Sequence, residues 1–579
     1  MIYRLGRGQS ALLLSISPDE EVNMSRKRSQ TRRRLRTESL EMRRLLAADF
    51  LSNDLVSQDD SVASEVSAFS TSNADRTGQQ SQSDSSASDD VSSESTDVVL
   101  AWNDLFGEVL ADAEGTLQTP GYASRSMAML NLAIYDAVGI ATSGSDADTF
   151  YEYDLNVSDR TELSAEIVAA QAAYTVLSGL YPEQQETLDA FLQASLASAG
   201  ANRDSEASLT VGSEIGSTIL AIRANDGSDV IGEYKYTDEV GYFQVDPLNP
   251  DVPAWGPAWG EVDTFAIGST DEFSPESPPD LSSEEYAEAY NEVIELGALD
   301  SETRTEDQTE AGLFWAYDRE GLGTPLALYN DVLIQIAEQQ GNSMEENAAL
   351  FAQASVAMAD AAITAWDTKF TEEFWRPVTA IQAGDTDGNA LTEADADWVA
   401  LGAPNGEDLT GFTPQFPTYI SGHATFGGAL FTTLQEFYGT DDIAFELSSD
   451  ELQGLLEDPE LQEAYGLELD DAVRTFESFS EAMAENGRSR VYLGIHFNFD
   501  DTVGQEVGSA IAASVASEFT VATADDTNQI DQDTQRNRNR NQGREQDNRD
   551  QRNQGNRNTQ DRFAAIDSAF ADQRFGNRR

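Results

Sequence analysis

Apolar residues recur at three- and four-residue steps through most of the chain between residues 98 and 523. The pattern is clear in stretches such as "VVLAWNDLFGEVLADA", "YASRSMAMLNLAIYDAVGIA" and "NAALFAQASVAMADAAITAWDTKF". A 3.6-residue period places such residues on one helix face, whereas a half-buried strand requires strict alternation. The sequence shows no sustained alternation, so it predicts an all-α body.

Polar segments flank this body. Residues 52–97 are rich in Ser, Asp, Thr and Gln, and residues 524–579 begin with a run of Asn, Arg, Gln and Asp, so both are predicted to be disordered. The body itself exceeds the usual size of one hydrophobic core. We therefore predict one helical domain over 99–340 and a second over 341–523. Within the first, the Pro-, Gly- and Trp-rich stretch 228–282 predicts a long ordered loop.

Acidic residues dominate the composition. The chain has 35 Lys and Arg against 104 Asp and Glu, which gives a formal net charge of -69. Residues 45–531 hold only 13 of those cations against 92 acids. Such a body repels nucleic acid and anionic membranes and suits a high-salt setting. Most of these carboxylates are expected to form a solvated surface. We predict no nucleic-acid partner.

Two other absences limit the function. The chain contains no cysteine, which excludes disulfides and cysteine-ligated metals. No apolar run approaches the roughly 18–20 residues that span a bilayer, so no membrane-spanning segment is predicted.

The amino-terminal region is basic. Its segment "LEMRRLLA" resembles the LExRRLLA-type motif of predicted exported proteins of planctomycete bacteria. We interpret residues 1–98 as a basic export-type start followed by the disordered linker, and expect a bacterial protein exported to the periplasm, cell surface or exterior. The alternative is a generic basic, amphipathic start.

Lysine is rare in the body, and one of its two lysines lies in "WDTKFTEEFWRPVTA". Lys369 and Arg376 are seven residues apart, which on a continuous helix places them on one face about 10 Å apart. Pro377 disfavours helical geometry at Arg376, so the arginine is expected at a helix end that faces a cleft. Alternatively, the two cations form surface ion pairs with Glu372 and Glu373.

The first of only two histidines follows a Ser-Gly step in "FPTYISGHATFGGALF". Ser421 is a natural N-cap, and the amides of Gly422 and His423 then lie in the first helical turn. Free N–H groups and the helix dipole there attract anions, and Gly422 allows an oxyanion to approach the backbone. Alternatively, His423 is a structural capping residue.

The second histidine lies in "SRVYLGIHFNFDD". His496 and Asp500 are four residues apart, or one helical turn, so the carboxylate is expected to fix the imidazole tautomer and leave the other nitrogen free. Arg490 falls on a different face of a regular helix, which suggests a break at Gly494. A structural His–Asp contact is the alternative.

Together these stretches offer a lysine, two arginines, an amide corner and both histidines. Donors of this kind surround a tetrahedral or trigonal-bipyramidal oxyanion. The same residues would bind a divalent cation poorly, because three fixed positive charges repel it.

The order K-x6-RP, SGH and SRxxxGxHxxxD resembles the vanadium-dependent haloperoxidases and the wider type 2 phosphatidic acid phosphatase superfamily. We place the resemblance over roughly residues 100–520. One departure is Ile420, where the family usually has proline. The resemblance implies an all-α fold of two four-helix bundles, with the oxyanion site in the C-terminal bundle and vanadate as the cofactor.

The resemblance also implies roles for individual residues. His496 bonds vanadium, Asp500 supports its far nitrogen, and His423 acts as general acid–base. The residues implied to bind the vanadate or phosphate oxygens are Lys369, Arg376, Ser421, Gly422 and Arg490, and Lys369 further polarises bound peroxide. Trp366 and Phe416 match positions that wall the halide pocket, although ordinary core packing explains them equally well.

The implied activity is a haloperoxidase that oxidises chloride or bromide with hydrogen peroxide to hypohalous acid, which then attacks an organic acceptor. A soluble acid phosphatase would use the same residues, with His496 forming a phosphohistidine. The third alternative is an acidic surface protein whose oxyanion site is a relic.

Overall fold

The computed structural model describes residues 97–519, apart from gaps at 144–146, 148, 156–162, 203–204, 248–249, 251, 318–320, 405–410 and 469–471. The predicted linker up to residue 96, the export-type start and the tail from 524 lie outside the described residues.

Five helices form the first part of the described chain. They are α1 (Val98–Ala111), α2 (Pro120–Ser143), α3 (Ala165–Leu180), α4 (Gln185–Ser198) and α5 (Glu206–Arg223). Asp97 and Ser164 cap α1 and α3, because their side chains accept hydrogen bonds from first-turn amides. Helix α3 packs against both α2 and α5, so the apolar faces seen in the sequence meet each other.

The expected long loop follows α5. Its described residues contain only two short 3-10 turns, Trp259–Glu261 and Thr270–Glu272. The buried carboxylate of Asp360 accepts hydrogen bonds from three successive amides of this loop, Phe265 (2.6 Å), Ala266 (2.8 Å) and Ile267 (3.0 Å). The loop is thereby fixed to a core helix.

Three helices come next, α6 (Glu284–Leu296), α7 (Glu306–Phe314) and α8 (Pro325–Gln340). Each begins at a hydroxyl N-cap, at Ser283, Thr305 and Thr324 respectively.

The last part of the described chain contains α9 (Met344–Glu372), α10 (Pro377–Gln382), α11 (Gly422–Tyr438), α12 (Asp450–Leu456), α13 (Pro459–Tyr465), α14 (Phe479–Tyr492) and α15 (Asn498–Ala516). Helices α11 and α15 pack against each other and against both α9 and α14, and α9 also packs along α2. The predicted boundary between residues 340 and 341 falls between α8 and α9 and stays a prediction.

The all-α prediction is confirmed with one small exception. Strands β1 (Phe445–Ser448) and β2 (Val473–Phe476) form an antiparallel pair in which Phe445 lies opposite Phe476. Four-residue strands are too short to produce a sustained alternating pattern, so this pair leaves no signal in the sequence.

The expectation that no segment is apolar enough to span a membrane also needs correction. By length and composition alone, α9 would qualify. The apolar window of α9 is entirely buried within the protein, as expected for a core helix.

Candidate active site

Lys369 and Arg376 lie on opposite sides of a chain reversal. Helix α9 ends when Glu373 adopts a left-handed conformation (φ 50°), and Arg376 then has extended geometry at the N-cap of α10. The prediction that the two cations share one helix face was therefore wrong. The prediction that Pro377 places Arg376 at a helix end is confirmed.

Both cations are buried and held by carbonyl oxygens. The Lys369 ammonium donates to the carbonyls of Pro417 (3.0 Å) and Thr418 (2.9 Å). Arg376 donates from Nε to the Phe416 carbonyl at 2.8 Å. The backbone carbonyls of the segment before Ser421 therefore accept hydrogen bonds from both cations.

His496 has a defined tautomer. Its Nε2 lies 3.1 Å from Arg376 Nη1, which can only donate, so Nε2 must accept. Its Nδ1 lies 2.9 Å from Asp500 Oδ2 and carries the proton. This arrangement leaves an imidazole lone pair directed at the cations.

The contact between His496 and Asp500 forms differently from the prediction. His496 precedes α15, which begins at Asn498, so the two residues do not share one helical turn. Asp500 lies in the first turn and reaches back, where its Oδ2 also accepts from the Phe497 amide at 3.0 Å. The pair therefore closes across a helix start.

Ser421 caps α11 as predicted. Its hydroxyl accepts a hydrogen bond from the Ala424 amide (3.4 Å), and its own amide donates to the Asp500 carbonyl (3.0 Å). The preceding Tyr419–Ile420 peptide bond is cis. A Cβ added at Gly422 would meet no atom closer than 3.4 Å, on Trp366, so glycine keeps a gap open between the helix start and the indole.

His423 lies in the first turn of α11 and remains partly exposed. Its Nε2 lies 3.2 Å from the Ala316 carbonyl, which can only accept, so Nε2 carries the proton and Nδ1 is the basic nitrogen. The His423 carbonyl accepts from Asn486 Nδ2 at 2.9 Å, which fixes the helix start to α14.

Arg490 belongs to the last turn of α14 and is 1% exposed. The predicted break is confirmed, because α14 ends at Tyr492 and Gly494 has a φ of +73°. The break allows the chain to turn between Arg490 and His496.

Burial and mutual repulsion shift the pKa values of these groups. Burial, followed by the charge of Arg376, holds the pKa of both Lys369 and His496 well below their usual values. Burial and then Arg490 lower the pKa of His423 in the same way. Burial raises the pKa of Asp500 to about 6, against the hydrogen bond from Thr418. A bound oxyanion would supply the missing counter-charge.

Two aromatic rings lie beside Lys369, and a third packs against them. The ring centroids of Trp366 and Phe416 are 5.0 Å apart, and the Lys369 ammonium lies 5.0 Å from the Phe416 centroid. Trp255, from the long loop, packs edge-on against Trp366 at 5.0 Å. The loop approaches closely because Gly256 (φ +80°) has no Cβ, which would lie 2.5 Å from the Trp366 indole nitrogen.

The predicted site residues therefore come together from three distant stretches. Sequence analysis missed Thr418, Trp255 and Ala316, which contact Asp500, Trp366 and His423 respectively. Threonine, tryptophan and alanine are ordinary core residues, so only the "PAWGPAWG" repeat of the loop offered any signal, for Trp255.

The donor set fits a small oxyanion. The site combines three buried cationic side chains, one imidazole lone pair and the amide end of α11, with a single carboxylate turned to the far side of His496. Such a set can neutralise several oxygens of one anion while the imidazole bonds its central atom.

Comparisons with known proteins agree with this class of site. Residues 349–523 match the family model "VCPO second helical-bundle domain", and residues 31–50 match the model "Planctomycete extracellular". The fold and the site thus define a predominantly helical protein of the vanadium chloroperoxidase type.

The relatives identify the family. The "Vanadium chloroperoxidase" of Curvularia inaequalis is 32% identical over 496 residues, which cover 71% of this chain and 80% of that protein. This chain belongs to the vanadium-dependent haloperoxidase family.

Solved structures share the fold. The first bacterial vanadium-dependent iodoperoxidase superposes with a TM-score of 0.56 at 22% identity. The superposed region covers 74% of this chain and 98% of the iodoperoxidase chain. A holo-type bacterial vanadium-dependent chloroperoxidase gives a TM-score of 0.53 at 15% identity. The superposed region covers 70% of this chain and 94% of the chloroperoxidase chain.

Proposed function

We propose that this chain is a vanadate-dependent haloperoxidase that oxidises chloride or bromide with hydrogen peroxide to hypohalous acid. The observation that carries the proposal is the unprotonated Nε2 of His496, which accepts a hydrogen bond from Arg376 among buried cationic side chains. A phosphohistidine phosphatase would use the same residues, but the curated relative is a chloroperoxidase, so phosphatase activity is not favoured.

The residues at the site suit vanadate. His496 would bond it through Nε2, while Asp500 holds the opposite nitrogen. The oxygens would be neutralised by Lys369, Arg376, Ser421, the Gly422 amide and Arg490. When bound, vanadate supplies a Lewis acid that activates hydrogen peroxide without changing its own oxidation state.

His423 is suited to move the proton. Because the Ala316 carbonyl holds the Nε2 proton, Nδ1 is the nitrogen that accepts a proton from incoming peroxide and later returns it. The lowered pKa keeps the ring neutral and ready to act as a base. Lys369 would polarise an oxygen of peroxide held at the site and so favour attack by halide.

Halide is proposed to bind at the aromatic side of Lys369. Trp366 and Phe416 form the wall there, and Trp255 closes it from the loop. The ammonium beside this wall attracts the halide, which the acidic body otherwise repels. An organic acceptor then consumes the hypohalous acid.

The test loads purified protein with orthovanadate and adds hydrogen peroxide, chloride or bromide, and a β-diketone acceptor. Halogenation should require vanadate and should fall by at least about 10³-fold in His496→Ala, because the bonding nitrogen is lost. Phosphate should compete with vanadate, since both are tetrahedral oxyanions.

The same preparation without vanadate is offered a chromogenic phosphate ester. Ester turnover that depends on His496, with no vanadate-dependent halogenation, would replace the proposal with a phosphatase. Loss of neither activity in His496→Ala would mean that the site is a relic.

We further propose that the protein is exported, on the support of the match over residues 31–50. Fractionation of the source cells with an antibody against the folded body should find the protein outside the cytoplasm. Recovery with cytoplasmic markers would overturn this.

A further inference from the structure

We infer that Thr418 is a positioning residue for His496, acting through a closed triangle of hydrogen bonds with Asp500. The inference rests on the proposed function, since it concerns the imidazole that would bond vanadate. Thr418 is fully buried in the segment between Phe416 and Ser421.

Three short distances define the triangle. Thr418 Oγ1 lies 2.5 Å from Asp500 Oδ2 and 3.1 Å from His496 Nδ1. The third side, His496 Nδ1 to Asp500 Oδ2, is 2.9 Å. Each atom therefore contacts the other two.

The donors in the triangle follow from chemistry. The threonine hydroxyl has one proton, which it gives to the carboxylate oxygen. Its lone pairs then face the proton on Nδ1, so that proton is shared between Asp500 and Thr418. Two acceptors in different directions hold the imidazole plane more firmly than one, because rotation of the ring weakens both contacts.

Thr418 also connects the imidazole to the lysine. Its carbonyl accepts from the Lys369 ammonium at 2.9 Å, and its amide donates to the Phe374 carbonyl at 3.0 Å. One residue therefore positions two groups of the site, one through its hydroxyl and one through its backbone. Only the hydroxyl contact is removed by a side-chain substitution.

The test compares Thr418→Val, which keeps the shape and loses the hydroxyl, with Thr418→Ser, which keeps the hydroxyl. Equilibrium dialysis measures orthovanadate and inorganic phosphate binding to each protein in the absence of peroxide. We expect Thr418→Val to weaken vanadate binding about 10- to 100-fold and Thr418→Ser to stay within about threefold of the parent.

Thr433→Val is the matched control. Thr433 is buried further along α11, and its hydroxyl bonds only the Ala429 carbonyl among the contacts described (2.8 Å). The loss of this hydroxyl removes a comparable hydrogen bond without touching the site, so vanadate affinity should not change. Circular dichroism at the dialysis temperature establishes that each variant is folded.

The outcomes distinguish a failure of the positioning role from a failure of the proposed function. Parent-like affinity in Thr418→Val, or equal losses in the serine and valine variants, would overturn the positioning role while leaving the haloperoxidase intact. A parent protein that binds neither vanadate nor phosphate would overturn the proposed function and this inference with it. If Thr418→Val is unfolded while Thr418→Ser is folded and binds vanadate like the parent, Thr418→Ala takes its place. Thr418→Ala must then show the loss of vanadate affinity expected for Thr418→Val.

Discussion

At the scale of single residues, the two histidines of the described site are held in opposite tautomers. His423 donates from Nε2 to the Ala316 carbonyl, whereas His496 donates from Nδ1 to Asp500 and accepts at Nε2 from Arg376. A carbonyl only accepts and a guanidinium only donates, so these partners decide where each proton lies. The bonding nitrogen and the proton-moving nitrogen are thus assigned by neighbours.

This assignment predicts the nitrogen-15 spectrum of histidine-labelled protein. Because the chain contains only two histidines, every ring signal is assignable by comparison with His496→Ala. At neutral pH and without vanadate, His496 should be protonated at Nδ1 and His423 at Nε2. Protonation of His496 at Nε2 would contradict the Arg376 contact and the proposed bonding atom.

At the scale of elements, the site depends on how closely α11 approaches α15. The N-cap of α11 supplies Ser421, the first turn of α15 supplies Asp500, and glycines line the contact between the two helices. A Cβ added at Gly508 would lie 2.0 Å from the Thr425 carbonyl oxygen. Because that atom is backbone, the helices would have to separate.

Gly508→Ala should therefore lower the free energy of unfolding by about 1–3 kcal/mol and weaken vanadate binding. Gly107→Ala in α1 is the control, since its nearest neighbour would be 4.0 Å away and alanine favours a helix. Urea unfolding and dialysis measure the two effects. Equal behaviour of the two variants would show that close packing of α11 and α15 is not required.

A second element-scale prediction concerns Asp501 in the first turn of α15. The side chain is buried, receives a hydrogen bond from Gln505 (2.5 Å), and its pKa is raised by burial to about 6. Because this pKa lies above that of the unfolded chain, Asp501 contributes stability that is fully present below about pH 4. The contribution is lost as pH rises through about 6.

Asp501→Asn should remove this dependence. Relative to the parent, the variant should gain roughly 3 kcal/mol of unfolding free energy between pH 4 and pH 7. Asp450→Asn, an exposed aspartate in the first turn of α12, controls for the loss of one negative charge. Parallel stability curves for the parent and Asp501→Asn would refute the raised pKa.

At the scale of the whole molecule, acidic charge opposes compactness. The net charge of -69 makes self-repulsion larger in the folded protein than in the expanded chain. Salt screens this repulsion, since the Debye length falls from about 30 Å at 0.01 M to about 10 Å at 0.1 M. Salt screens the buried charges of the cationic site much less than those of the surface.

The melting temperature should therefore rise between 0.01 and 0.5 M salt, by several degrees if screening supplies about 1–2 kcal/mol. Sodium and choline chloride should act alike, because screening depends on ionic strength rather than on a bound cation. A rise with sodium alone would point to specific cation binding, and a fall with both would contradict the repulsion argument.

The sequence by itself determined the helical architecture and the charged members of the site. Burial of Lys369, Arg376 and Arg490 is costly, so cations inside apolar stretches of an acidic chain already indicate a common anion. Periodicity likewise identifies helices from local residues alone. Both the rare cations and the apolar periodicity can be recognised in the sequence without knowing which segments contact each other.

Only the tertiary structure decided how these residues meet and what supports them. The left-handed turn at Glu373 brings Arg376 back towards Lys369, and α15 starts after His496 rather than before it. Thr418 and Trp255 reach the site through contacts over long sequence separations. Their residue types are common in cores, so their roles depend on neighbours that the chain supplies only after folding.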